Sequence, residues 1–299
     1  MKRRKLFGIL GTTPFLLSAR NLAIIPDEMR TSPAKRVQYS VNAYSFNAML
    51  KSGEMTFFDM LEFAADIGLD AVDLTGYYFP SYPKVPTSDE LFQLKRKALE
   101  LGLNISWTGI RNDFVNPDAT LRKADSDLIK EWLIVSSKLG ASIMRVFAGT
   151  NKHEGYTREE VKDWLVDEFK ACVPFAEASG VILGLQHHNE FLYRSDEIID
   201  IIKRVSSDWL GLILDIGSLH AENPYDEIQK LAPYANYWFI KEHVYPSGKA
   251  TAVDMKKIAS IIKNEGYQGY VSFERQYEGD PKQIVSSMFD SFRNEYERS

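Results

Sequence analysis

The chain has 299 residues, 44% of them hydrophobic, with 36 basic against 41 acidic side chains and a net charge of -5. That is enough apolar material for a large core, and there is no net positive field to hold a nucleic-acid backbone, so a small molecule is the expected partner. The single cysteine, Cys172, rules out an intramolecular disulfide and a thiolate metal cluster. Lying beside Val173 and Phe175 in a helical pattern, it reads as a small core residue.

The first nineteen residues, MKRRKLFGILGTTPFLLSA, set four basic residues ahead of a modestly apolar run that ends at Leu17. This is the layout of an export signal, and Arg3-Arg4 before Lys5-Leu6-Phe7 loosely resembles the twin-arginine type. The run is too short to span a bilayer, so no stable membrane span is expected. The alternative is a basic tail on a cytoplasmic protein. Export to the periplasm would remove four positive charges and no negative ones, taking the net charge from -5 to -9. Residues 20–36, which carry Pro26 and Pro33, read as a linker, and residues 37–299 as the folded domain.

From Val37 the chain alternates regularly. A β-rich run over Val37–Phe46 precedes Thr56, a candidate cap for a helix with Phe57, Met60, Leu61 and Ala64 on one face. LDAVDLT reads as a strand, Ser88–Leu101 as a helix and LNISWTG as a strand. A helix after Pro117 ends at Gly140, and SIMRVFAG follows as the fourth strand. Thr157 and Glu160 form a capping box for a helix ending at Gly180, before VILGLQ. Ser195 caps a helix with Ile198, Ile201, Ile202 and Val205 on one face, LGLILDIG is the sixth strand, and Pro224 opens the next helix. NYWFIKEHV, a helix striped by Met255, Ile258, Ala259 and Ile262, YVSFE and a helix from Asp280-Pro281 complete eight strand–helix units.

Eight such units in one series imply an α/β fold of the closed kind, a single (β/α)8 TIM barrel. An open doubly wound sheet would carry a glycine-rich dinucleotide fingerprint after its first strand. VNAYSFNAMLKSGEM has none, so no nucleotide cofactor is expected. A barrel places its site at the carboxyl ends of the strands. Those ends carry Asn42 and Tyr44, Asp73 and Thr75, Trp107, Arg145, Gln186 and His188, Asp215, Lys241 and His243, and Glu274.

In order and spacing, LGLQHHN, LILDIG, FIKEH and VSFER resemble the strand ends of the xylose isomerase-like TIM barrels, the sugar phosphate isomerase and epimerase family. The likeness runs from about Val37 to the end and includes DLTGYYFPSYP and MRVFAG. In metal-dependent members the resemblance implies a divalent ion held by Glu, Asp, His and Glu on strands five to eight, with the two Glu residues moving protons on adjacent sugar carbons. Carried onto this chain, the Asp is Asp215 and the last Glu is Glu274, while the first Glu becomes Gln186 and the His becomes Phe239. Gln offers an oxygen but accepts no proton, and Phe ligates nothing. His243, two residues past Lys241 in an extended strand, is the candidate replacement ligand. The set Asp215, Glu274, Gln186 and His243 would suit Mg²⁺ or Mn²⁺ better than Zn²⁺. Readings with and without a metal both stay open.

The reading that follows is a sugar or keto-sugar isomerase or epimerase that moves a proton next to a carbonyl. Glu274 is its expected base, and Lys241 or His188 the acid or the electrostatic partner of the enolate oxygen. Trp107, Tyr77 and Tyr78 are expected to stack on the sugar, and Arg145, Gln186 and Asn189 to bind its oxygens. Two alternatives remain: a keto-sugar lyase or hydratase on the same barrel, and a non-catalytic carbohydrate-binding barrel. One expectation concerns the N-terminal segment alone. A chain starting at Ala34 should keep the thermal midpoint of the full-length protein, and a loss of several degrees would show that the segment packs on the barrel.

Overall fold

The computed structural model describes residues 36–150, 153–188 and 191–298. The expected export signal over residues 1–19 and the linker as far as Lys35 lie outside them. Eight parallel strands form a closed barrel: β1 (Gln38–Asn42), β2 (Ala71–Thr75), β3 (Asn104–Gly109), β4 (Ile143–Phe147), β5 (Ile182–Gln186), β6 (Leu210–Asp215), β8 (Ala235–Lys241) and β11 (Tyr270–Glu274). The last strand closes the ring, with Ser40 of β1 opposite Ser272 of β11. This is the single (β/α)8 barrel expected from the sequence.

Capping fixes most helix starts. In α2 (Phe57–Asp66), α3 (Ser88–Glu100) and α5 (Arg158–Ser179), a preceding threonine accepts the N–H of the third helical residue, whose carboxylate returns the bond to the threonine N–H. Gly140 after α4 (Ala119–Leu139) and Gly180 after α5 end their helices in the left-handed conformation. Ser195 opens α6 (Ser195–Val205) as its first residue, not as its cap. Its N–H and hydroxyl both donate to Glu227 of α7 (Pro224–Leu231), at 3.1 and 2.6 Å.

The apolar stripe of each helix packs on the outer face of the barrel. Met60, Leu61 and Ala64, Ile129, Trp132 and Leu133, and Ile198 and Ile201 are fully buried there. Each leucine, isoleucine or methionine among them contributes about 1.5–3 kcal/mol by leaving water. Cys172 belongs to this layer, as expected. Inside the barrel a second apolar cluster of Trp107, Ile143, Ile213, Tyr237 and Phe239 forms a floor. Alternation along each strand therefore sends the polar residue at its carboxyl end to the mouth, above that floor.

Two expected strands are shorter than the sequence reading. β1 stops at Asn42, whose side chain accepts the Tyr44 N–H and starts a 3-10 turn over Ala43–Phe46. The seventh barrel strand stops at Lys241. Past Glu242 the chain enters β9 (His243–Pro246), part of a separate three-stranded sheet with β7 (His220–Ala221) and β10 (Thr251–Ala252).

Candidate active site

At the carboxyl ends of the strands a cavity of about 410 Å³ opens, lined deepest by Asn42, Thr75, Trp107, Arg145, Gln186 and Glu274. Tyr77, Phe147, His188 and Gln276 complete its inner wall. At the rim Asp113 accepts the backbone N–H groups of Val115 and Thr150, and Asp125 accepts that of Asp113. These carboxylates hold loops in place.

Neighbouring strands bring three charges together at the base of the mouth. Lys241 Nζ lies 2.7 Å from Asp215 Oδ2 and 3.0 Å from Glu274 Oε1, with all three side chains almost wholly buried. Gln186 Nε2 donates to Asp215 Oδ2 at 2.8 Å, and Gly217 N–H donates to Oδ1 at 3.0 Å. Glu274 Oε2 accepts from Asn42 Nδ2 at 2.7 Å, and Gln276 Nε2 reaches Oε1 at 3.3 Å. Burial by itself would lower the pKa of Lys241, but Asp215 and Glu274 outweigh it and hold the ammonium above its ordinary value. Asp215 is the mirror image: burial would raise its pKa, and Lys241 instead holds it below the usual carboxylate range. A Cβ at Gly217 would meet Lys241 Cδ at 2.7 Å, so the glycine admits the lysine stem.

Arg145 is 2% exposed and lies in an aromatic sleeve, its guanidinium carbon 3.9 Å from the Phe147 ring centroid, 5.4 Å from Trp107 and 5.7 Å from Tyr77. Its buried Nε has no hydrogen-bond partner among the described residues. Burial lowers its pKa, yet a guanidinium stays charged. Gly109 makes room for it, since a Cβ there would lie 2.7 Å from Arg145 Cβ and 2.6 Å from the Trp107 ring.

Of the side chains expected at the site, Glu274, His188, Trp107, Arg145, Tyr77 and Gln186 line the cavity. Lys241 and Asp215 sit beside it, off its wall, so Lys241 is placed to act through the carboxylates and not by touching a ligand. Tyr78 departs from expectation. It follows Tyr77 in the 3-10 turn over Gly76–Tyr78 and packs edge to face on the Tyr77 ring, with centroids 4.7 Å apart, while its hydroxyl donates to Asn47 Oδ1 at 2.9 Å and its ring does not line the cavity. His243 also departs from expectation, because β8 ends before it and its ring lies 4.3 Å from that of Tyr277. Asn189 lies outside the described residues. Asn42 and Gln276, neither given a role by sequence reasoning, both hold Glu274.

His187, directly after β5, is fully buried, and its Nε2 accepts the Asp215 backbone N–H at 3.0 Å, tying the end of β5 to β6. Deeper in the barrel, Asp73 accepts from the Ala43 N–H at 2.8 Å and from the Ser272 hydroxyl at 3.1 Å, and burial holds its carboxyl well above the usual range.

These donors do not fit a divalent ion. Asp215 and Glu274 already accept from nitrogen donors on every oxygen, Gln186 turns its amide NH₂ toward Asp215, and Phe239 belongs to the apolar floor. Among the described residues no three His, Cys, Asp or Glu side chains form a metal-holding group.

The xylose isomerase-like TIM barrel profile matches residues 61–295. The chain belongs to that family. No curated protein matches the sequence. Among solved structures, D-psicose 3-epimerase with D-tagatose from Clostridium cellulolyticum H10 superposes with a TM-score of 0.72 at 16% identity, covering 87% of this chain and 99% of that one. The 3-keto-D-glucoside 4-epimerase of E. coli gives 0.70 at 14% identity, covering 87% and 100%. The IolI protein with a binding zinc atom gives 0.68 at 17% identity, covering 87% and 96%. At these identities the likeness is one of fold, shared with epimerases of keto-sugars and with a zinc-binding relative.

The His187 contact has a measurable consequence. Burial lowers its pKa from 6.5 to about 4, so as pH falls through 6.5 the unfolded chain takes up a proton that the folded protein refuses until about pH 4. Stability is lost across that window, by roughly 3 kcal/mol for a fully buried group. His187→Gln keeps an acceptor but does not titrate. The advantage of the natural protein over this variant in unfolding free energy should shrink between pH 7 and pH 4, and a pH-independent difference would overturn the assignment.

Proposed function

We propose that the protein catalyses proton transfer next to the carbonyl of a sugar or keto-sugar, as an isomerase or epimerase, with Glu274 as the base. The observation that carries this reading is the placement of Glu274. Its carboxylate is on the cavity wall, 5% exposed, and is oriented by Asn42, Gln276 and Lys241 from three directions.

In the proposed step the Glu274 carboxylate takes the proton from the carbon beside the carbonyl. The C–H electron pair becomes the double bond of an enediolate, and the carbonyl oxygen takes the negative charge. Of the two arginines on the cavity wall, Arg111 is exposed and Arg145 is buried, so Arg145 is the cation suited to that oxygen, and the low-dielectric aromatic sleeve around it strengthens the attraction. The proton then returns from Glu274 or from a second group on the wall, for which His188 is the candidate. Gln186 accepts no proton and binds a substrate hydroxyl through the amide edge that Asp215 leaves open. Trp107 and Tyr77 offer apolar faces to the sugar ring. The metal-ligand pattern of the family enters no step.

Incubation with ketohexoses and 3-keto-glucosides in deuterated water, read by NMR, tests the reading. Deuterium should enter the carbon beside the carbonyl. Glu274→Gln should lower that rate by about 10² to 10⁴, as for loss of a general base. Gln186→Glu should reduce it by less. A Glu274→Gln protein with near-native exchange would place the base elsewhere.

A further inference from the structure

We propose that the ammonium of Lys241 is the resident cation of this site and holds, without any metal, the two carboxylates that would otherwise take a divalent ion. The geometry starts from strand order. β8 lies between β6 and β11, so Lys241 at the end of β8 has Asp215 on one side and Glu274 on the other, with its nitrogen 2.7 and 3.0 Å from their oxygens. Both carboxylates are buried, and two buried negative charges side by side require a positive partner. Lys241 supplies it from the protein itself.

The residues around the ammonium match it and not an ion. Two carboxylates and one ammonium leave one net negative charge in the group. A glutamate at position 186 would add a third carboxylate beside the same single cation, whereas Gln186 adds none and donates its amide hydrogen to Asp215. The amide at 186 and the lysine at 241 therefore form a matched pair. Gly217 belongs with them, since any side chain there would collide with the lysine stem. Below the ammonium, where a cation would need another donor, Phe239 packs its ring against Trp107 and Tyr237, with centroids 5.6 and 5.5 Å away. A hard divalent ion needs about six oxygens at close range, and all four carboxylate oxygens of Asp215 and Glu274 are already engaged by nitrogen donors. As a positioning residue, Lys241 fixes the angle of the Glu274 carboxylate from below and leaves its cavity-facing side to the ligand.

The test reads metal directly and needs no substrate, so it stands or falls apart from the keto-sugar reading. The full-length protein is titrated with Mn²⁺ while the electron paramagnetic resonance signal of the free ion is followed, and its thermal midpoint is measured with and without EDTA. The natural protein should leave an equimolar Mn²⁺ signal undiminished and show the same midpoint in EDTA. The pair of substitutions Lys241→Ala and Gln186→Glu together removes the resident charge and adds a carboxylate. It should raise Mn²⁺ affinity on the order of a hundredfold, because ligand charge and number set the affinity for hard cations. One equivalent of tightly bound Mn²⁺ in the natural protein, or a midpoint that drops in EDTA, overturns the proposal. So does a folded double variant with unchanged affinity. Should the double variant not fold, the natural protein's own titration decides.

Discussion

A single buried nitrogen, Lys241 Nζ, sets the arrangement of the barrel mouth. It reaches Asp215 and Glu274, which are in turn held by Gln186 and Asn42, so one hydrogen-bonded group joins β5, β6, β8, β11 and β1 at their carboxyl ends. Placing three charges out of water is costly, and their mutual attraction does little more than offset that cost. Removing one partner is another matter, at about 3–5 kcal/mol, because the others are left buried and unpaired. The network is therefore better understood as a device for exact placement than as a source of stability. It leaves Glu274 with a defined orientation at the edge of the cavity.

The apolar floor beneath this network does complementary work. Trp107, Tyr237 and Phe239 meet edge to face, with centroids between 5.5 and 6.5 Å apart, and keep water from reaching the charges from below. Under the rings a small polar group remains, in which the hydroxyls of Ser40, Ser106 and Tyr237 are linked at 2.9 Å. Asp73, bonded to Ser272 nearby, is held toward its neutral form. Charge is thus confined to the mouth, where the cavity opens. Arg145 stands across that opening, cushioned by aromatic faces.

Much of this was legible in the sequence, because both of its governing rules are local. Capping residues and apolar stripes marked the helices, and the two-residue alternation of a barrel strand told which side chain reaches the mouth, as it did for Gln186, Asp215 and Glu274. What was not legible depended on contacts between distant segments. Glu242 accepts the N–H groups of Gln276 and Tyr277 at 2.7 and 3.0 Å, tying the end of β8 to the loop after β11, and His243 goes into another sheet. The same loop delivers Gln276 to Glu274, with no periodicity to announce it. Tyr77 and Tyr78 are identical in the sequence and are separated only by a turn whose pitch the residues alone do not give.

β3 breaks the alternation on purpose. Its pairing with β2 shifts between Val72 and Asp73, which face Ile105 and Trp107, so Ser106 is an extra residue in the strand. Both Ser106 and Trp107 then reach the barrel interior, one bonded to Tyr237 and the other packed on it. A regular strand could send only one of two adjacent residues inward. This makes β3 a place where chain length is not negotiable. Deleting one residue would straighten the strand, return either the serine or the indole to the helix side, and take away part of the floor on which every charged group above it rests. Insertions and deletions in descendants of this chain should therefore collect in the loops around the mouth, reshaping what the cavity admits while the strand beneath keeps its count.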